Sequence, residues 1–230
     1  MRAAGLLAAA IALASWATPA RAEYVDLELV LAVDVSSSVN GEEFALQMDG
    51  LARAFRNPLL LRALEAAGGG GIAVALVQWA GPESQALAFD FQRVDSPGSA
   101  QRVAALIEQT PRLFDSGGTS ISGAIDFAML LFAANLFDGR RHTIDISGDG
   151  RNNHGRQVAV ARDEALAQGV TINGLAILNE EPNLDLHYSR SVIGGPDCFV
   201  MTADDYTDFQ DAILIKLVRE ISGSIVSRLP

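Results

Sequence analysis

The stretch Leu27–Ser38 reads LELVLAVDVSSS, an apolar run that ends in an aspartate and a group of serines. An almost unbroken apolar run of this length is typical of a strand that is buried on both faces of a parallel sheet. After the serines, Asn40-Gly41-Glu42-Glu43 offers a helix N-cap with an acid three residues later. A buried strand, a polar turn and a helix in this order predict the first unit of an α/β fold.

The alternation of strands and helices continues along the rest of the chain. We expect further strands at Ile72–Trp79, Gln85–Phe91, Arg141–Ser147, Val170–Leu178 and Cys198–Met201, and helices at about 40–55, Ser99–Gln109, Ile121–Phe137, Gln157–Gln168 and Asp205–Ile221. Gln85–Phe91 follows a turn and alternates in polarity, which indicates an edge strand in a hairpin. Asn179–Gly195 is polar and is expected to be irregular. The pattern predicts a single α/β domain with a mostly parallel sheet that is covered by helices on both faces.

The first 22 residues have the features of a secretory signal peptide. Arg2 supplies a positive start, Ala3–Trp16 is apolar, and Ala20-Arg21-Ala22 is a small-x-small cleavage pattern. We therefore expect residues 1–22 to be removed and residues 23–230 to form the domain, in the periplasm or outside a bacterial cell. The alternative, an uncleaved membrane anchor, is disfavoured because the apolar run is short for a bilayer. No later segment is long and apolar enough to predict a membrane span.

Composition and charge exclude several classes of function. The chain has 28 acidic and 17 basic residues, a net charge of -11, so it would repel the phosphate backbone of DNA or RNA. It has one cysteine, Cys198, which rules out an intrachain disulfide and a zinc site with several cysteine ligands.

Polar side chains with oxygen donors follow the predicted strands. Asp34, Ser36 and Ser38 come after the first strand, Thr119 precedes an apolar helix, and Asp149 follows the strand Arg141–Ser147. Ligands of open parallel sheets bind at the carboxyl ends of the strands, where the strand order reverses. Oxygen ligands suit Mg²⁺ or Mn²⁺, so these residues are candidates for one metal site.

This set of residues resembles the metal-ion-dependent adhesion site of von Willebrand factor type A domains. Asp34, Ser36 and Ser38 match the D-x-S-x-S element of that family, Thr119 matches its threonine, and Asp149 matches its second aspartate. The likeness covers the whole predicted domain, and it is greatest to an uncharacterised group of secreted bacterial proteins. It implies a three-layer, Rossmann-like, doubly wound fold with six strands, of which one edge strand is antiparallel.

The resemblance also implies a function. A divalent cation (Mg²⁺, or else Mn²⁺ or Ca²⁺) would bind Ser36, Ser38 and Thr119 directly and the two aspartates mostly through water. An open coordination position would take an acidic side chain of a protein partner, which is binding rather than enzymatic chemistry. One departure is Gly148, since many relatives have threonine before the second aspartate. Asp145 is the alternative acid, but the alternation along Thr143–Ser147 puts it inside the strand.

Two other functions remain open at this stage. The first is a secreted hydrolase that uses Ser36, Ser37 or Ser38 with His154, although no G-x-S-x-G motif is present. The second is a structural subunit whose metal site is vestigial. A simpler interpretation of the serines alone is a helix N-cap, and a solvated loop residue is the simpler interpretation of His154.

Overall fold

The computed structural model describes residues 22–223. Residues 1–21 of the predicted signal peptide and residues 224–230 of the predicted domain lie outside them. The strands are β1 Glu23–Val25, β2 Leu27–Asp34, β3 Ile72–Trp79, β4 Gln85–Val94, β5 Phe137–Gly139, β6 His142–Gly148, β7 Val170–Ile177 and β8 Val200–Ala203. The helices are α1 Gly41–Arg56, α2 Pro58–Ala66, α3 Pro97–Gln109, α4 Ile121–Ala134, α5 Val158–Ala167, α6 Leu184–His187 and α7 Phe209–Ser222, and a π-helical turn, Tyr188–Val192, follows α6.

Six of the strands form one sheet in the order β4-β3-β2-β6-β7-β8. All neighbours in this sheet are parallel except β4, which pairs antiparallel with β3 at the edge. Every residue of β2 is buried, as its apolar sequence predicts for a central strand. The predicted fold, a doubly wound sheet with one antiparallel edge strand, is therefore confirmed.

Helices cover both faces of the sheet. Helices α1, α2, α3 and α7 pack on one face in a core that includes Phe55, Leu76 and Phe209. Helices α4, α5 and α6 pack on the other face around Trp79, Ile144 and Tyr188. No helix among residues 22–223 is long and apolar enough to cross a membrane.

The sheet reverses its strand order between β2 and β6. From β2 the chain crosses to β3 on one side, and it later returns to β6 on the other side, in register with β2 from Glu28 opposite His142 to Val33 opposite Ser147. The carboxyl ends of β2 and β6 therefore lie side by side. Asp34 ends β2 and Asp149 directly follows β6, so the fold puts both acids at the expected position for a ligand.

The predicted helix Ile121–Phe137 is too long. It ends at Ala134 because the Asn135 side chain turns back, with its amide donating to Leu131 O and Phe132 O at 3.1 and 3.3 Å. Asn135 Oδ1 then accepts from Phe137 N at 2.7 Å, and Phe137–Gly139 becomes β5, which pairs in parallel with β1 in a small second sheet.

Other boundaries also differ from the prediction. Helix α2 was not expected, but Asn57 caps it through Leu59 N at 2.9 Å and Pro58 occupies its first turn. The segment Asn179–Gly195 is not wholly irregular, since it contains α6 and the π-helical turn. The last helix begins at Phe209, four residues later than Asp205.

Candidate metal centre

The loop after β2 is held by backbone contacts from three directions. Ser36 N donates to Asp34 Oδ1 at 2.7 Å, which turns the chain sharply after the strand. Gln47 Nε2 of α1 donates to Asp34 O at 3.1 Å. Arg112 Nη2 donates to Val35 O and Ser36 O at 3.0 and 3.2 Å. The positions of Asp34 and Ser36 are thus fixed by the surrounding protein.

The side chains of the first and third loops are in direct contact. Ser36 Oγ and Ser38 Oγ are 3.1 Å apart, and Ser38 Oγ donates to Asp149 Oδ1 at 2.6 Å. Asp34, Ser36 and Asp149 are buried, whereas Ser38 is exposed. The group therefore opens to solvent on the side of Ser38.

Hydrogen bonds to the backbone of Thr119 join the second loop to the third. Thr119 N donates to Asn153 Oδ1 at 2.8 Å, and Asn153 N donates back to Thr119 O at 2.9 Å. Gly150, beside Asp149, is close to Thr119, since a Cβ there would lie in van der Waals contact with Thr119 Oγ1 at 3.4 Å. On the opposite side, Gly117 N donates to Ser37 Oγ at 2.9 Å. All three loops are consequently tied to one another.

The electrostatics of this group are unbalanced. Asp34 and Asp149 are both fully buried, and burial followed by the charge of Asp149 raises the pKa of Asp34 to about 7. Asp34 Oδ2 is buried without a hydrogen-bond partner. The positive charge of Arg112 lowers the pKa of Asp34, but this is the smallest of the contributions to that pKa. A buried, unpartnered carboxylate oxygen beside a second carboxylate is a position where a cation would be strongly stabilising.

The donor set fits a hard divalent cation. Within residues 22–223, no cluster of three or more His, Cys, Asp or Glu side chains is suited to hold a metal, so a cation here needs hydroxyl ligands as well as the two carboxylates. The three loops carry such hydroxyls on Ser36, Ser38 and Thr119. An all-oxygen set without His or Cys is the chemistry that Mg²⁺, Mn²⁺ and Ca²⁺ prefer.

Two tyrosines that were not predicted from the sequence lie near the acids, and one of them contacts Asp149. Tyr206 OH donates to Asp149 Oδ2 at 3.0 Å, and burial and the nearby aspartate charges raise the pKa of Tyr206, so its phenol stays protonated. Tyr206 follows β8, whose carboxyl end lies at the same edge of the sheet, and this position was an available signal.

Tyr188 lies against Gly148 and Asp34. A Cβ on Gly148 would lie 2.7 Å from Asp34 Oδ2 and 3.1 Å from the Tyr188 hydroxyl oxygen. A side chain at position 148 would therefore meet Asp34 and Tyr188, and glycine leaves room for both. Tyr188 comes from the segment expected to be irregular, and no sequence signal pointed to it.

Asp145 and His154 lie in other surroundings. Asp145 is inside β6 and forms an ion pair with Lys216 of α7, with Nζ 2.6 Å from Oδ1. His154 is exposed, and its Nδ1 lies 2.5 Å from Asn153 Oδ1. Its backbone N donates to Thr119 O at 3.2 Å, so the residue helps to join the second and third loops.

Comparison with solved structures finds the same fold in several proteins. Proximal thread matrix protein 1 from the mussel byssus superimposes with a TM-score of 0.61 at 15% identity, covering 88% of this chain and 49% of that one. This mussel protein has also been solved with zinc occupying its MIDAS motif, the metal-ion-dependent adhesion site. The pilus adhesin SpaC from Lactobacillus rhamnosus GG gives a TM-score of 0.60 at 13% identity, over 88% of this chain and 31% of that one.

A third similar structure is a von Willebrand factor type A protein from Catenulispora acidiphila. It gives a TM-score of 0.58 at 16% identity, over 86% of this chain and 43% of that one. The chain thus spans about half the length of the mussel protein and less than half of the other two. At these identities the likeness shows the fold alone.

Sequence comparisons give a family but no curated relative. No curated protein matches the chain. One family model, described as "Protein of unknown function (DUF1194)", matches residues 24–225 and so covers nearly the whole predicted domain. The chain therefore belongs to the DUF1194 family, and its fold is that of a von Willebrand factor type A domain.

Proposed function

We propose that this protein is a secreted, metal-ion-dependent binding module that holds an acidic group of a protein partner. The single observation that carries the proposal is Asp34 Oδ2, a fully buried carboxylate oxygen without a partner that lies in the same group as Asp149. Buried polar atoms of folded proteins nearly always have a hydrogen-bond partner, so an atom without one in the protein is a place where a ligand or an ion supplies it.

Five side chains would hold the cation in this proposal. They are Asp34, Ser36, Ser38, Thr119 and Asp149. The ion we propose is Mg²⁺, with Mn²⁺ and Ca²⁺ as alternatives. Hydroxyl and carboxylate oxygens suit all three ions. When bound, the cation supplies positive charge that a carboxylate of the partner can approach from solvent.

The arrangement of the chain's own residues supports binding at the surface. Ser37 and Ser38 are exposed, whereas Asp34, Ser36 and Asp149 are buried beneath them, so a partner would approach over the first loop. The backbone contacts of Gln47 and Arg112 keep this loop in place before any partner arrives. Preorganisation of this kind reduces the cost of binding.

A hydrolase is less well supported than a binding module. Among residues 22–223, the recorded side-chain contact of His154 is with Asn153 and not with a loop serine. Ser36 and Ser38 hydrogen-bond each other, and Ser37 is bonded to Gly117. Ser38 also donates to Asp149, so in the described part of the chain none of these serine contacts is with His154, the base that the hydrolase alternative needs.

The proposed location is the periplasm or the outside of a bacterial cell, after cleavage behind Ala22. The support is the predicted signal peptide, together with the similar structures, which include a byssus matrix protein and a pilus adhesin. Removal of residues 1–22 would take away two arginines, Arg2 and Arg21, and leave the domain more acidic still.

Calorimetry on the purified domain tests the metal site. We expect the unaltered protein to bind Mg²⁺ and Mn²⁺ and the Asp34→Ala variant to lose measurable binding, because the cation loses one of two buried carboxylates. Asp211→Ala, which removes an exposed aspartate of α7, is the matched control and should bind normally. Circular dichroism should show all three proteins folded. Normal binding by the Asp34→Ala variant would reject the assignment.

A further inference from the structure

A cleft of about 870 Å³ lies at the opposite end of the sheet from the metal centre. It is formed by the amino ends of β6 and β7, the carboxyl end of α7 and the loop before β8. Its lining includes Arg140, Arg141, Thr171, Asp197, Phe199 and Arg219. His142 begins β6 and Gly148 ends it, so the cleft is separated from the metal centre by the length of the strand, roughly 20 Å.

Arg141 is fixed at the inner side of this cleft. Its guanidinium donates to Glu220 O at 2.9 Å and to Ile221 O at 3.0 Å, so it is anchored on the carboxyl end of α7. Burial lowers the pKa of Arg141, and the charge of the adjacent Arg140 lowers it further. The two arginines therefore repel each other at a partly desolvated position, where an anion would relieve the repulsion.

The other two arginines extend the positive surface. Arg219 lies flat on the ring of Phe199, with its guanidinium carbon 3.8 Å from the ring centroid, which leaves the N–H groups at its edge for a ligand. Arg140 is more than half exposed, and its guanidinium lies 3.6 Å from the buried carboxylate of Asp26, which offsets part of its charge.

The acids in the lining neutralise only part of this charge. Glu220 is already engaged by Lys216, with Nζ 2.6 Å from Oε1, and by Asn173 at 2.9 Å. Asp197 is the other acid, and its charge raises the pKa of Arg141. Three arginines of the 16 in a chain of net charge -11 therefore meet at one cleft that contains two acids, of which Glu220 is already paired with Lys216.

We propose that this cleft binds a small molecule that carries two or more anionic groups, phosphate or carboxylate. Guanidinium groups present paired N–H donors that match both kinds of anion, and several of them around one cavity favour a ligand with more than one charge. The cleft volume is within the range of small-molecule sites. Binding here needs no metal ion, so this site is independent of the proposed adhesion site.

Thermal unfolding and calorimetry with defined anions test the proposal. The probes are inorganic pyrophosphate and citrate, in buffer freed of metal by ion-exchange resin, with KCl at the same ionic strength as the reference. We expect both probes to raise the melting temperature above the KCl reference, because a ligand that binds only the folded state stabilises it. Metal-free buffer prevents the anions from acting through a cation.

Arginine variants show whether the anions bind at this cleft. Arg140→Ala combined with Arg219→Ala should weaken binding at least tenfold, and both residues are exposed, so the fold should persist. Arg62→Ala, an exposed arginine of α2 outside the cleft, is the matched control and should bind like the unaltered protein. Asp34→Ala should also keep the response. The proposal is wrong if neither anion exceeds the KCl reference, or if Arg62→Ala weakens binding as much as the double variant does.

Discussion

At the scale of single residues, Tyr206 shows how a side chain outside the donor set can control it. Its hydroxyl is the hydrogen-bond donor recorded for Asp149 Oδ2, while Ser38 takes Oδ1. Each oxygen of Asp149 therefore has a different partner, and the carboxylate plane is fixed. Partners of this kind set the orientation of metal ligands, and their loss typically lowers metal affinity about 10–100-fold.

We therefore predict that Tyr206→Phe lowers the affinity for Mn²⁺ by about 10–100-fold in calorimetry. The ring and its packing are retained, so the near-ultraviolet circular dichroism should change little, whereas the melting temperature without metal should fall because the buried Asp149 Oδ2 loses its donor. Tyr24→Phe is the control, since Tyr24 is also hydrogen-bonded to an aspartate, Asp26 at 3.3 Å, but is half exposed and remote from the site. Equal affinities of the two variants would exclude a positioning role for Tyr206.

The sequence predicts the five candidate donors and not the tyrosines around them, for a physical reason. Asp34, Ser36 and Ser38 are adjacent in the chain, and Asp149 follows a strand end, so local pattern and sheet topology place them. The contact between Tyr206 and Asp149 joins residues 57 positions apart and depends on the packing of a whole loop. Tyr188 comes from a segment whose π-helical turn has no recognisable sequence signal.

At the scale of elements, helix α7 is fastened to the sheet by one buried charged group. Lys216 is the only lysine in the chain, it is fully buried, and it lies 2.6 Å from both Asp145 of β6 and Glu220 of its own helix. Hydropathy predicts α7 as an amphipathic helix, but it gives no sign that a lysine and two acids lie on the face toward the sheet. On this face of α7, charge pairing rather than hydrophobicity explains why Lys216 and Glu220 are buried.

We predict that Lys216→Met destabilises the protein by about 3–5 kcal/mol in urea unfolding, because two buried acids lose their cation. The triple variant Lys216→Met, Asp145→Leu, Glu220→Met should regain most of that stability, since well-packed hydrophobic residues of similar volume can replace a buried charge cluster at little cost. A single variant as stable as the unaltered protein would show that the ion pairs contribute nothing net.

The element boundaries that differ from prediction have local causes as well. Pro58 and Asn57 start α2 directly after α1, and Asn135 ends α4 three residues before the apolar pattern ends. The apolar periodicity of Ile121–Phe137 could not show this, because the Asn135 amide also donates to Glu28 Oε2 at 2.6 Å, a contact with a different strand. The mostly parallel sheet and its one antiparallel hairpin, in contrast, followed from the alternation of strands and helices, and the structure confirms both.

At the scale of the whole molecule, the fold buries two aspartates, Asp34 and Asp145, whose ionised forms are disfavoured. Burial and the charge of Asp149 raise the pKa of Asp34 to about 7, and burial and the charge of Glu220 raise that of Asp145 to about 7. Both values lie well above those of an unfolded chain, about 3.9. Between pH 4 and 7 the folded protein therefore holds protons that the unfolded chain has released.

This difference fixes the sign of the pH dependence. Because the folded state binds more protons, the free energy of unfolding of the metal-free protein should fall as the pH rises from about 5 to 7 and then level off, by up to about 1.4 kcal/mol per pH unit for each carboxyl within its window. His187 opposes this in part, since burial lowers its pKa and an unfolded histidine takes up a proton below about pH 6.5. Urea unfolding at several pH values measures the net slope.

Replacing each aspartate by asparagine separates the contributions of Asp34 and Asp145 to this slope. Asp34→Asn and Asp145→Asn should each flatten the slope between pH 5 and 8, and the Asp34→Asn variant should also become more stable than the unaltered metal-free protein at pH 8, where the unpartnered carboxylate is ionised. Saturating Mg²⁺ should remove most of the slope due to Asp34 and leave that due to Asp145, because Asp145 is paired with Lys216 on the α7 side of the sheet. A metal-free stability that rises steadily from pH 5 to 8 would contradict both assignments, since it would require these carboxyls to be better accommodated charged than neutral.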